Sequence, residues 1–184
     1  MKKLLIILLL FFPVHGVWAE VIEEKQPEEI IELFGIKFGE KCIDSTSDKY
    51  RTKGKVPNKL FKEHIVYCTS ITKRVWKIST NNFFESEKLN EFIMCRNSLR
   101  ALEKHFSEKY GVKLNITTDR DYEYKVQSND TNDMHNKVEM MCTRIGTGKN
   151  FSSVDLRLIV TNLKMISEKK KEDLQISIID KKGI

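Results

Sequence analysis

Residues 83–111 read FFESEKLNEFIMCRNSLRALEKHFSEKYG. Within them Leu89, Phe92, Cys95, Leu99, Leu102, Phe106 and Tyr110 recur in steps of three and four. That spacing is the apolar stripe of one amphipathic helix. Glu87, Lys104, His105 and Glu108 fall on the opposite face. Asn82 followed by Glu85 has capping-box spacing, and Ser86 is a second candidate cap. Gly111, directly after Tyr110, suits a left-handed C-terminal cap. The pattern therefore predicts a helix from Phe83 to Tyr110. Its stripe is wide enough to cover one face of a sheet and too narrow for burial all round.

Strand patterns lie on both sides of this helix. Leu33–Phe38 places Phe34, Ile36 and Phe38 on one face, with Gly35 and Gly39 as punctuation. Residues 43–59 read as loop, with an edge strand at Tyr50–Lys53. Phe61–Thr69, with Phe61, Ile65 and Tyr67 as its apolar set, and Val75–Thr80, with Trp76 and Ile78, form an expected hairpin. After the helix, Tyr122–Val126 is a short strand and Val138–Ile145 a longer one carrying Cys142. Val154, Leu156, Leu158 and Val160 alternate cleanly, and Leu174, Ile176 and Ile178 do the same. The charged run Glu168–Asp173 reads as a solvated hairpin loop between these two. Strands, one long helix, then strands make an α+β fold: one amphipathic helix packed on an antiparallel β-sheet.

The chain has 184 residues, of which 40% are apolar and 32% charged. The apolar residues are unevenly spread. Lys2 and Lys3 precede an unbroken apolar run, Leu4–Phe12, broken by Pro13 and Gly16 and followed by Val17-Trp18-Ala19. This is the three-part pattern of a secretory signal peptide over residues 1–19. The run is short of the ~20 apolar residues of a membrane span. Residues 20–32 are acidic and read as a flexible leader, and residues 33–184 as a single domain. The compact Lys-Lys start favours bacterial export to the periplasm, with secretion to the medium as the alternative.

Cys42, Cys68, Cys95 and Cys142 all follow the signal, and an even count in an exported chain argues for disulfides. Four cysteines allow three pairings. Cys95 falls on the helix stripe and Cys142 on a strand's apolar face, so a bridge between them would clip helix to sheet. Cys42 and Cys68 would then pair. No short Cys or His spacing points to zinc. Without Lys2 and Lys3 the net charge is +4, and the basic residues are interspersed with acids. That argues against a nucleic-acid partner.

Several segments together resemble small exported bacterial proteins of uncharacterised families. They are Phe34-Gly35-Ile36-Lys37-Phe38-Gly39, Val75-Trp76-Lys77-Ile78, the helix with Cys95 ending in Lys109-Tyr110-Gly111, and the strand with Cys142. The resemblance covers the middle two-thirds of the chain after the signal. It implies an exported α+β domain with a helix–strand disulfide and carries no catalytic residue.

No nucleophile elbow, zinc-protease, P-loop or dinucleotide motif occurs. His105 projects from the polar side of the helix, while His64 and His135 fall on a sheet and in a loop. Oxidised cysteines leave no thiolate for catalysis. One polar segment stands out: Asp119-Arg120-Asp121-Tyr122-Glu123. Its alternating acids start like a calcium loop, but the sixth position is Tyr124 rather than Gly and the twelfth Asp130 rather than Glu. Tyr122 and Tyr124 either pack on the sheet or, if exposed, form a partner-binding patch. Asp119, Asp121, Tyr122, Glu123 and Tyr124 are thus the candidate binding residues. No catalytic residue, metal or cofactor is expected. The expected function is non-enzymatic binding of another envelope or secreted protein. A carboxylate-dependent hydrolase acting on cell-wall glycan and a calcium- or small-ligand-binding module are the alternatives.

Overall fold

The computed structural model describes residues 28–44, 46–54, 60–61, 63–85, 90–129, 135–147 and 150–182. The expected signal (1–19), most of the leader (20–27), Ser86, Leu89 and Asp130 lie outside the described residues. A small hairpin, β1 (Glu32–Leu33) and β2 (Ile36–Lys37), comes first. It is followed by β3 (Lys49–Thr52), β4 (Glu63–Cys68) and β5 (Val75–Glu85), then helix α1 (Asn90–Tyr110). Four more strands follow: β6 (Leu114–Arg120), β7 (Glu123–Ser128), β8 (Asn136–Thr147) and β9 (Asn150–Asn162). Helix α2 (Leu163–Lys182) is the last element. The seven strands β3 to β9 form one sheet in the order β3-β4-β5-β9-β8-β7-β6. Every neighbouring pair is antiparallel.

The period-two alternation of β9 turns Val154, Leu156, Leu158 and Val160 to one face, where all four are buried. Register brings Ile78 of β5, Val138, Met140 and Cys142 of β8, and Val126 of β7 onto the same face. Helix α1 covers it with Phe92, Cys95, Leu99 and Phe106, and Leu102 and Tyr110 pack against this core. The helix ends at Gly111 with φ +66°, its N–H donating to the Ser107 carbonyl at 2.9 Å. The disulfides are Cys95–Cys142, joining helix to sheet, and Cys42–Cys68, tying the segment after β2 to β4.

Helix and antiparallel sheet are both present, but the one-helix picture is corrected: the described residues form two helices. Leu174–Ile179, expected as a strand, and Glu168–Asp173, expected as its hairpin loop, both belong to α2. The reason lies in the sheet order. Both edges of β9 are already occupied, by β5 and β8, so no slot beside it remains for a following strand. Asn162 then starts the helix, its side-chain oxygen accepting from the Met165 N–H at 3.0 Å.

The predicted helix start at Phe83 is also displaced. Phe83 and Phe84 extend β5, paired with Asp155 and Val154 of β9, and α1 begins at Asn90. Leu33–Phe38 is a two-residue-turn hairpin instead of one strand. Phe34 and Gly35 both carry positive φ there, as a tight hairpin turn requires. The inward set of β4 is His64, Val66 and Cys68, with Ile65 and Tyr67 on the other face. Residues 28–32, read as the end of a flexible leader, are anchored through Ile30. Ile30 is fully buried and exchanges two hydrogen bonds with the Asn136 side chain. β6 was not expected, because only Leu114 and Ile116 along it are apolar.

Candidate functional site

The segment singled out for its acids and tyrosines is the tip of the β6–β7 hairpin. Arg120 pairs with Glu123, leaving Asp121 and Tyr122 as the two-residue turn. The turn is held from β8, where the Arg144 N–H donates to the Tyr122 carbonyl at 2.9 Å. Adjacent strand residues point to opposite faces. Asp119, opposite Tyr124, therefore faces α1, and Glu123 faces away from it. The acids at 119, 121 and 123 do not converge, so this segment does not form a cation cage. Among the described residues no group of three His, Cys, Asp or Glu side chains is placed to hold a metal ion.

Around the tip, arginines lie against aromatic rings. Arg96 of α1 pairs with Asp119 at 3.1 Å and lies over the Tyr124 ring at 4.4 Å. Tyr124 is buried, so one of the two candidate tyrosines packs on the sheet. Tyr122 is 48% exposed. Its hydroxyl accepts a hydrogen bond from Arg120 at 2.8 Å, which raises the Arg120 pKa further. Arg144 lies over the Phe92 ring at 4.9 Å. Arg96 and Arg144 thus stack on Tyr124 and Phe92 on the α1 face, while Arg120, opposite Glu123, holds Tyr122 from the other side of the turn. Such contacts fix long side chains in place before any partner arrives.

At the other end of β6, away from the tip, an open groove of about 550 Å³ runs between α1 and the start of β6. Arg100, Glu103, Lys104 and Ser107 line its helix wall, and Val112 to Asn115 the other. A second shallow depression of about 380 Å³ lies over β3, β4 and β5 at Arg51, Glu63, Ile65 and Phe83.

Neither family models, nor curated proteins, nor solved structures give a match to this chain.

Two buried polar groups elsewhere were not anticipated in these roles. His64 is fully buried, stacked on Phe34 at 4.2 Å between ring centroids. Neither of its ring nitrogens has a hydrogen-bond partner. Burial pushes its pKa down, partly opposed by the nearby Lys53 backbone. Asp155 is also buried, with Oδ2 on Arg157 at 2.6 Å and Oδ1 unpartnered. Register separates the two groups. His64 aligns through Thr80 with Leu158 on the α1 face, while Asp155 lies an odd number of residues away in β9, on the opposite face. They form no histidine–carboxylate pair. The other described histidines, His105 and His135, are exposed.

Cys95 and Phe92 announce the helix stripe in the sequence, but the role of Arg96 does not. Arg96 and Arg144 reach their rings only when α1, β7 and β8 meet.

Proposed function

We propose that the chain is an exported, non-enzymatic binding domain that engages another envelope or secreted protein through the β6–β7 tip. The observation that carries this reading is the exposed Tyr122, its hydroxyl held by Arg120 and its carbonyl by the Arg144 N–H. Tyrosine and arginine dominate binding hot spots because they offer large contact area with few freedoms to lose. Both disulfides support an oxidising setting, and no cysteine is left free for chemistry. No helix among the described residues is long and apolar enough to cross a membrane. The periplasm is the compartment that the sequence favours.

The test is affinity capture from envelope and culture-medium fractions, with wild type and a Tyr122→Ala/Arg120→Ala variant side by side. Retention of one partner by wild type, weakened about 30-fold or more in the variant at unchanged melting temperature, is the expected result. Equal capture by both proteins would remove the tip from the reading. Turnover of cell-wall glycan by the pure protein would replace it with the hydrolase alternative.

A further inference from the structure

The two edges of the sheet are guarded differently. β3, at one end, carries the exposed Lys49 and Arg51, charges that discourage pairing. β6, at the other end, has no charge from Leu114 to Thr118, and its Ile116 is 59% exposed. The bulge between Ile116 and Thr118 leaves Leu114–Ile116 as a regular edge, and among the described residues no strand lies beyond it. Such an edge is normally covered. The groove beside it is basic. Arg100, Lys104 and Lys113 stand exposed along it, against a single acid among its lining residues, Glu103. Lys104 meets Glu108 at 3.7 Å, but both side chains are largely exposed, so that tie is weak.

The chain itself carries the matching chemistry. Residues 20–27 (EVIEEKQP) hold three acids, Glu20, Glu23 and Glu24, and one base, Lys25. The segment is tethered at the right place. The Glu28 N–H donates to the Tyr110 carbonyl at 2.8 Å, at the end of α1, next to Val112 and Lys113 of the groove. Its reach is ample: eight extended residues span at most about 26–29 Å. Arg100 lies ten residues back along α1 from Tyr110, a distance of about 15 Å. Direction fits as well. Arg96 pairs with Asp119, and Leu114 follows closely on the end of α1, so helix and strand run opposite ways. A segment passing from Arg100 to Tyr110 is therefore antiparallel to β6, as every pair in the sheet is. Pro27, which cannot donate to a ladder, falls at the end of that segment.

We infer that residues 20–26 dock in this groove of their own chain, antiparallel to the Leu114–Ile116 edge. Glu20 and Glu24, which share one side of an extended chain, turn to the helix wall at Arg100 and Lys104. Main-chain hydrogen bonds to the edge and charge contacts across the groove hold the segment, as in strand-addition complexes. The segment is thus a strap that closes the open edge of the sheet. The groove lies at the far end of β6 from the Tyr122 turn, so the inference stands or falls independently of the partner-binding reading.

Hydrogen exchange read by mass spectrometry tests it on the chain from Glu20, where the signal pattern ends. Two double variants are compared with wild type: Glu20→Lys/Glu24→Lys in the segment and Arg100→Glu/Lys104→Glu on the exposed helix wall. Both should melt at the wild-type temperature. The expected result is slow exchange of the outward-facing amides of Leu114–Ile116 in wild type, accelerated about tenfold or more in each double variant. Combining all four substitutions swaps the charges and should restore slow exchange. Equal exchange in wild type and both double variants would overturn the inference, as would a combined variant that fails to recover. Protection that fades on dilution would assign the segment to a second copy and overturn the arrangement within one chain.

Discussion

Protonating His64 would place a charge on a ring that is fully buried, stacked on Phe34 and unpartnered at both nitrogens. Its pKa lies below the ordinary 6.5. In the unfolded chain the ring takes up a proton near that ordinary value. Its contribution to stability is therefore complete above about pH 6.5 and is lost as pH falls from there through the lower folded-state pKa. Urea denaturation at pH 7.5 and pH 5 should show this loss, and His64→Leu should flatten it. Gly54 belongs to the same cluster. At φ +74°, a Cβ there would sit 2.9 Å from the Phe34 carbonyl oxygen and 3.0 Å from the His64 ring. Gly54→Ala should cost about 1–3 kcal/mol by denaturant midpoint. The sequence shows a glycine and a histidine ten residues apart and no reason to connect them. Their contact exists because Phe34, held at φ +55° in its turn, lays its ring over the strand.

Helix α1 was legible because its stripe repeats over five turns, and the cysteine on that stripe pointed to its partner on β8. Leu99→Ala at its fully buried centre should cost about 2–5 kcal/mol. Helix α2 was not legible as a helix. Its alternating Leu174, Ile176 and Ile178 carry a strand period, and only the occupied edges of β9 decide against a strand beside it. What docks α2 is Glu172. Burial alone would raise its pKa, but the Thr72 hydroxyl and the Ile71 and Thr72 N–H groups together lower it. That docking is present above the ordinary 4.5 and is lost as pH falls through the depressed folded-state value. Hydrogen exchange in α2 should accelerate over that descent. Glu172→Ala should produce the same acceleration at neutral pH, with α1 unaffected. The β6–β7 tip was half legible: its acids and tyrosines drew attention, yet the acids do not meet and Tyr124 is buried. The arginines that organise it come from positions 24 residues or more apart, such as Arg96, Arg120 and Arg144.

At the scale of the molecule, two staples hold a sheet whose outer face is largely polar. On the chain-entropy account, closing the 47-residue separation of Cys95–Cys142 stabilises by about 4 kcal/mol, and the 26-residue one of Cys42–Cys68 by about 3.5 kcal/mol. Net stabilities of domains are about 5–15 kcal/mol. Replacing either pair by serine should therefore lower the melting temperature markedly, and removing both should leave a chain unfolded at 37 °C by circular dichroism. The strand order adds a matter of timing. β3–β5 and β6–β8 are each built from neighbours in the chain, yet they are joined only through β9, the last strand to be made. A chain emerging N-terminus first, from a ribosome or through a membrane pore, holds two half-sheets with bare inner edges until residue 162 arrives. The last strand is a keystone: the polypeptide cannot commit to its final shape early. That delay leaves the two bare edges for a holding factor to shield in the meantime.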